Sequence, residues 1–213
     1  MIALVYQGQV ALFLLILIAL IISLSFHEYG HALVAKLYGD DTAERAGRLT
    51  LNPLAHIDPL GLLMVVMVGF GYAKPVPTDP RKFRSRFADL YVSAAGPAMN
   101  LLLAFVTINV YAIGVTQGVA FFSERGPQIF FLYLSQINLL LMLFNLIPLG
   151  ALDGHYILPY FLPRRLARRY VEFNHRYGNF ALLGLIVLAL LGVPVFRTLM
   201  NVAESLLQII VLV

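Results

Sequence analysis

VALFLLILIALIISLSFHEYGHALVAKLYG, residues 10–39, decides how this chain is read. Residues 10–22 are all apolar, residues 1–26 carry no charged side chain, and HEYGH follows at residues 27–31. A membrane span needs about 20 mostly apolar residues. The stretch therefore predicts one helix from about residue 8 to Tyr38, ending at Gly39, a residue suited to a helix C-terminus. No basic stretch precedes the apolar run and no small-residue cleavage site follows it, so it reads as a retained helix and not a signal peptide. On such a helix His27 and His31 lie four residues apart and share a face. They can bind one metal ion, with Glu28 between them as general base. A pair of core histidines is the competing reading, but ionisable groups at membrane depth are costly and are functional by default.

Composition agrees with a lipid environment. Of the 213 residues 60% are hydrophobic and 12% charged, against about 25% charged in soluble domains. Mean hydropathy is +0.83. These values exclude a soluble zinc protease. The absence of cysteine excludes disulfides, thiolate ligands and cysteine proteolysis. The net charge of +4 reports membrane topology, not nucleic-acid binding. With no polar linker or repeat, the chain reads as a single integral membrane domain over 1–213, with a core at about 8–160 and C-terminal helices at about 179–213.

Outward from the first helix, residues 39–60 are more polar and include LTLNPLAHIDPLG (residues 49–61). LLMVVMVGFGY (residues 62–72) is apolar but short for a span. Its valines and glycines suit a membrane-dipping hairpin or re-entrant piece, and a short tilted helix is the competing reading. KPVPTDPRKFRSR (residues 74–86) is a basic, proline-broken loop. A second span covers about 88–117 and a third starts near Pro127 and runs into NLIPLGALDG (residues 145–154), where Pro148 and Gly150 should break the helix. Residues 163–176, with five arginines, read as a further basic loop. Residues 179–191 and 195–213 read as apolar helices. Basic residues cluster in 36–48, 74–86 and 163–176, so the positive-inside rule places these regions in the cytoplasm and the N-terminus outside. That requires residues 62–72 to enter and leave on one side.

Two histidines leave a catalytic metal site short of a third protein ligand. Asp40, Asp41, Asp58, Asp79 and Asp89 lie in or beside polar loops; Asp153 alone follows a long apolar helix, at a proline–glycine break. Irregular backbone at membrane depth survives only where it is buried in protein or lines a wet cavity, which makes Asp153 the candidate third ligand. The alternative is that Asp153 only caps the helix that restarts after it. Two histidines and one carboxylate suit zinc and can also suit iron.

HEYGH together with NLIPLGALDG resembles the site-2 protease family of intramembrane zinc metalloproteases (M50-type), from the first helix to about residue 160. The resemblance implies one Zn²⁺ per chain held by His27, His31 and Asp153, with Glu28 as the catalytic base. It also implies Asn145 as a residue contacting the substrate backbone. GPAMN (residues 96–100) resembles the family's G-x-x-x-N motif and places Asn100 near the site as a second substrate-binding candidate. NPLAHIDPLG (residues 52–61) resembles a subgroup with compact cores, without PDZ or CBS domains. The implied function is hydrolysis of peptide bonds in or near transmembrane segments of membrane protein substrates, as in regulated intramembrane proteolysis. The lipid bilayer is the implied surrounding and nucleic acid is not a partner. The implied setting is a multi-pass protein of a prokaryotic cell membrane, its active site opening to the cytoplasm.

The expected fold is an all-α polytopic membrane protein with a small membrane-associated β element and about four to six membrane segments, including a broken helix at LDG. The expected β edge, placed in residues 62–72, would accept an extended substrate as an added strand. His56 reads as a turn-stabilising residue in preference to one behind the metal ligands. His155 could support the site or face away, and His175 should be solvated. A metal-binding membrane protein without proteolysis, such as a zinc transporter, is the alternative function, and a structural or partner-binding membrane protein is a third.

Overall fold

The computed structural model describes residues 1–68 and 71–213. Three helices are long and apolar enough to cross a membrane: α1 (Val10–Leu37), α3 (Ala88–Thr116) and α4 (Arg125–Asn145). They pack mutually, and α8 (Val195–Ile210) completes the bundle against α4 and α3. Between them lie α2 (Pro59–Val68), α5 (Asp153–Ile157), α6 (Arg164–Phe173) and α7 (Asn179–Leu190), with single helical turns at Ile2–Tyr6, Thr42–Arg45, Pro53–His56 and Ala120–Ser123. α1 stops as expected: Tyr38 caps it and Gly39 takes φ +102°.

Polarity in the bundle is inverted relative to a water-soluble protein. Leu14, Ile18, Leu102, Val106 and Val110 are exposed, while Ser23, Asn100, Thr107, Ser135 and Asn138 are buried. In hydrocarbon there is no gain from hiding leucine, so helices associate through small residues and interhelical hydrogen bonds. Both devices are present. A Cβ on Gly30 would stand 2.7 Å from the Ala95 carbonyl oxygen, so α1 and α3 approach backbone to backbone there. Thr107 and Ser135 share a hydroxyl–hydroxyl bond of 2.8 Å between α3 and α4. An apolar cluster of Ala104, Leu139, Met142 and Ala203 seats α8. The Asn109 amide closes the C-terminus of α8, donating to the Ile210 carbonyl (2.9 Å) and accepting from the Leu212 amide (2.8 Å).

Three expectations are corrected. There is no strand among the described residues, so the β element is absent. Residues 62–68 of the stretch expected to form it continue α2, while residues 69 and 70 lie outside the described residues. The cause is local. Asp58 caps the helix, its carboxylate accepting the amides of Leu60 and Gly61 at 2.9 Å each, and Pro59 supplies a preset first residue. Once nucleated, a helix pairs the backbone groups of an apolar segment internally, and the strand preference of valine, which depends on context, is overridden.

The number of spans is also lower than four to six: three helices qualify, or four if the chain from Arg164 to Ile210 counts as one broken span. Gly192, at φ +102°, and Pro194 split that stretch into pieces bent by 88°. Finally, the basic region 163–176 is not a loop. It forms α6 and then a π-helical turn, Asn174–Gly178.

Candidate metal centre

The sequence-expected ligands converge. The Nε2 atoms of His27 and His31 lie 3.1 Å apart. Asp153 Oδ2 is 3.2 Å from the first and Asp153 Oδ1 is 3.4 Å from the second. A tetrahedral zinc with bonds of about 2.0–2.1 Å separates its donors by about 3.3 Å, so the three side chains fit such an ion. Asp153 Oδ2 is buried and without a hydrogen-bond partner among the described residues. An orphaned buried acceptor facing two imidazole nitrogens is what a cation site leaves when only protein atoms are counted.

Each histidine is held by its other nitrogen. The His31 Nδ1–H donates to the Val92 carbonyl at 2.7 Å, and His27 Nδ1 lies 2.6 Å from Asn100 Oδ1. The Asn100 orientation follows from its remaining partners. Its Nδ2 donates to the Ser23 carbonyl (3.2 Å) and to Asn138 Oδ1 (2.8 Å), so its oxygen faces His27 and the His27 proton resides on Nδ1. Both Nε2 lone pairs then point at the common centre, the arrangement found where outer partners fix the tautomer of metal-binding histidines. The chain of polar groups ends satisfied: Asn138 Nδ2 donates to Ser23 Oγ (2.8 Å) and the Leu134 carbonyl (2.7 Å), and Ser23 Oγ donates to the Ala19 carbonyl (2.7 Å). Asn100 is 0% exposed, behind His27.

Gly96 makes room for this. A Cβ there would fall 2.4 Å from His31 Nε2 and 2.6 Å from His27 Cε1. α3 can therefore lie directly across the two imidazoles only because position 96 has no side chain.

Asp153 arrives by a different route. α4 ends at Asn145, and α5 begins at Asp153 and packs on α3. Gly150 turns the chain with φ +59°, a conformation most residues avoid. Gly154 permits α5 to fold back: a Cβ would stand 2.2 Å from the Leu146 carbonyl oxygen.

Glu28 is buried, and its Oε2 accepts the Val76 amide at 3.1 Å. Val76 belongs to a non-helical strap, residues 71–79. Buried Arg48 fastens that strap, donating from Nη1 to the Pro75 carbonyl (3.0 Å) and from Nη2 to the Lys74 carbonyl. Burial pushes the Arg48 guanidinium below its ordinary pKa, and the neighbouring Glu28 charge opposes that. His56 is 1% exposed; its Nε2–H donates to the Thr50 carbonyl (2.7 Å) and its own carbonyl accepts the Lys74 amide (2.8 Å). It binds turns together, the reading preferred from sequence.

Asn145 is half-buried, and its Nδ2 donates to the Leu141 carbonyl at 3.0 Å. Among the described residues it makes no hydrogen bond to the histidine–aspartate group. His155 Nδ1 lies 3.3 Å from the Tyr170 hydroxyl. Val92, Ser23, Asn138 and Arg48 carry supporting roles that sequence reasoning missed. The one available signal was polarity in an apolar run, at Ser23 and Asn138.

No solved structure matches the chain. Among curated proteins, one from Bacillus subtilis named "Putative zinc metalloprotease YwhC" is 44% identical over 153 residues, covering 70% of this chain and 69% of the relative. A protein bearing the same description under the name Rip2, from Mycolicibacterium smegmatis, is 32% identical over 156 residues, covering 70% of this chain and 57% of the relative. The Rip2 protein of Mycobacterium tuberculosis strain H37Rv is 28% identical over 165 residues, covering 71% and 58%. Residues 15–128 and, overlapping them, 111–190 match the family described as Peptidase family M50. The chain thus belongs to peptidase family M50, and it is a zinc metalloprotease of that family.

Proposed function

We propose that this metalloprotease cleaves peptide bonds in or near the transmembrane segments of membrane protein substrates. The observation that carries this reading is the placement of the His27–His31–Asp153 group. It is assembled on α1, across α3, inside a bundle of three helices each able to span a bilayer. A substrate reaching this group approaches through lipid.

His27, His31 and Asp153 are the residues that would hold the metal. Zinc in that position supplies a Lewis acid that polarises a peptide carbonyl and acidifies water. Glu28, next to His27 on the same helix, takes the proton from the attacking water and returns it to the leaving amine. The Val76 amide on Glu28 Oε2 fixes which carboxylate oxygen faces the strap and which is left for water. Asn145, eight positions before Asp153, is the candidate for the substrate backbone: its Nδ2 gives one hydrogen to the Leu141 carbonyl and has a second to offer. A helical substrate has its carbonyls already hydrogen-bonded, so it must unwind before cleavage.

Two of the basic regions touch, Lys82 donating to Asp41 at 2.9 Å, and Tyr160, three residues ahead of the third, donates its hydroxyl to the Arg86 carbonyl at 3.3 Å. By the positive-inside rule this end, which carries HEYGH, faces the cytoplasm of a multi-pass protein in a prokaryotic cell membrane.

The test is Glu28→Gln in a cell that co-expresses a tagged single-span substrate. Metal content should stay at one zinc per chain while cleavage falls by at least 10²-fold, the lower end for loss of a general base. Full cleavage by the variant would end the assignment of Glu28. Cleavage confined to soluble peptides would end the membrane-substrate reading.

A further inference from the structure

The two histidines are each held directly by a partner on α3, whereas among the described residues the Asp153 carboxylate has ion-pair contacts with the two histidines and its buried Oδ2 has no hydrogen-bond partner. Its position must come from the backbone, and the backbone that matters is the turn at Pro148–Gly150, three to five residues earlier. That turn is gripped from outside the three long helices. Gly150 donates its amide to Asn174 Oδ1 at 3.0 Å, and Asn174 Nδ2 donates to the Gly150 carbonyl at 3.0 Å. One side chain thus satisfies both polar groups of a buried residue in a left-handed conformation. One helical turn before Asn174, the Tyr170 hydroxyl donates to the Pro148 carbonyl at 2.8 Å.

Asn174 is itself 5% exposed and opens the π-helical turn Asn174–Gly178. Single π-helical turns inserted in helices recur at functional sites. Here the turn aims Asn174 inward while the four arginines of α6 remain exposed. Gly178 leaves the space: a Cβ there would stand 2.2 Å from Asn174 Oδ1.

We infer that Asn174 is a positioning residue for the metal centre, acting through the Gly150 backbone to set where Asp153 stands. The inference rests on reading His27, His31 and Asp153 as the metal ligands. It extends the centre into α6 and the π turn, elements beyond the stretch that carries the recognised motifs. Outer partners of metal ligands typically change affinity by 10–100-fold when removed. Asn174 is one step further out, yet it satisfies both backbone polar groups of Gly150.

The experiment uses the full chain in detergent, loaded with cobalt(II) in place of zinc. Affinity is read by chelator competition and geometry by the visible absorption of the tetrahedral ion. Asn174→Ala should weaken binding by about tenfold or more and alter the spectrum. Asn174→Asp keeps the acceptor for the Gly150 amide but sets a carboxylate oxygen against the Gly150 carbonyl, so it should weaken binding as well. It also serves as the second variant if the alanine form does not fold. In an Asp153→Ala background, adding Asn174→Ala should change affinity by less than twofold, because the two act as one unit. Wild-type affinity and spectrum in both single variants, with only thermal stability reduced, would overturn the inference, as would additive losses in the double variant. A wild-type chain that binds no cobalt would instead overturn the metal assignment on which the inference rests.

Discussion

The histidine half and the aspartate half of the metal centre are built by opposite means. His27 and His31 stand on a 28-residue helix and are held by atoms of a 29-residue helix lying across them. Asp153 stands on a helix of five residues that follows a seven-residue break, and among the described residues its carboxylate pairs with the two histidines and its buried Oδ2 has no hydrogen-bond partner. In the first half, precision comes from rigid elements and side-chain hydrogen bonds. In the second it comes from a turn whose backbone is pinned by Tyr170 and Asn174. A protease that must admit a substrate and water beside its metal gains from having one half fixed and the other on a separately adjustable turn. Irregular backbone at membrane depth also needs protein around it, and the α6–π segment provides that.

The sharpest way to break this contrast is to add one methyl group to each half. Gly154→Ala puts a Cβ against two backbone carbonyls, 2.2 Å from Leu146 O and 2.7 Å from Ile147 O. Backbone cannot swing aside, so the turn itself must move. The expected result is loss of metal together with a stability loss of about 3 kcal/mol, at the upper end for overpacking. Metal content and thermal unfolding of the purified variant measure both. If Gly154→Ala retained metal, the LDG turn would be softer than its contacts imply.

Gly96→Ala should separate the two properties. Its Cβ meets the ends of two side chains, His31 Nε2 at 2.4 Å and His27 Cε1 at 2.6 Å. Imidazoles can shift where backbone cannot, at the expense of the His27–Asn100 and His31–Val92 bonds, so the fold should survive with a stability loss of about 1–2 kcal/mol, below that of Gly154→Ala. The atoms displaced are the ligands themselves, so metal affinity should fall on the order of 100-fold, the upper end for damage behind the ligands. Chelator competition beside a melting curve distinguishes this from Gly154→Ala. Equal loss of stability in both variants would erase the difference between the halves.

The same division explains what could be read from sequence. The histidine half was legible because a charge-free apolar run and HEYGH coincide on one helix, and both signals are local. Asp153 was legible by elimination, as the one aspartate behind a long apolar helix. For residues 62–72 valine and glycine favour a hairpin over the competing short helix, and residues 62–68 are helical because the decisive residues stand just ahead: Asp58 as cap and Pro59 as first helical residue. α6 was misread as a loop because arginine density hid its period. Leu166, Tyr170, Phe173 and Tyr177 recur at spacings of three and four, with the arginines on the other side. Asn174 had no signal at all, since a side chain that grips backbone 24 residues away leaves no pattern in sequence.

The smallest expected effect concerns the far end of the histidine half. Asn138 stands two steps behind the metal, joined through Asn100 to His27. Asn138→Ala removes donors to Ser23 Oγ and the Leu134 carbonyl and one acceptor for Asn100, in a fully buried network. Leaving a buried polar group unpaired costs about 1–3 kcal/mol, so thermal stability should drop by that order. Metal affinity should change by less than tenfold, because Asn100 keeps its bond to the Ser23 carbonyl and therefore its orientation toward His27. Asn100→Ala, by contrast, removes the partner of His27 directly and should weaken metal by about 10–100-fold. Were Asn138→Ala to weaken metal as much as Asn100→Ala, the histidines would depend on the whole chain of amides and not on α3 alone. The rigid half would then be a hydrogen-bonded assembly of three helices, as dependent on remote contacts as the turn that carries Asp153.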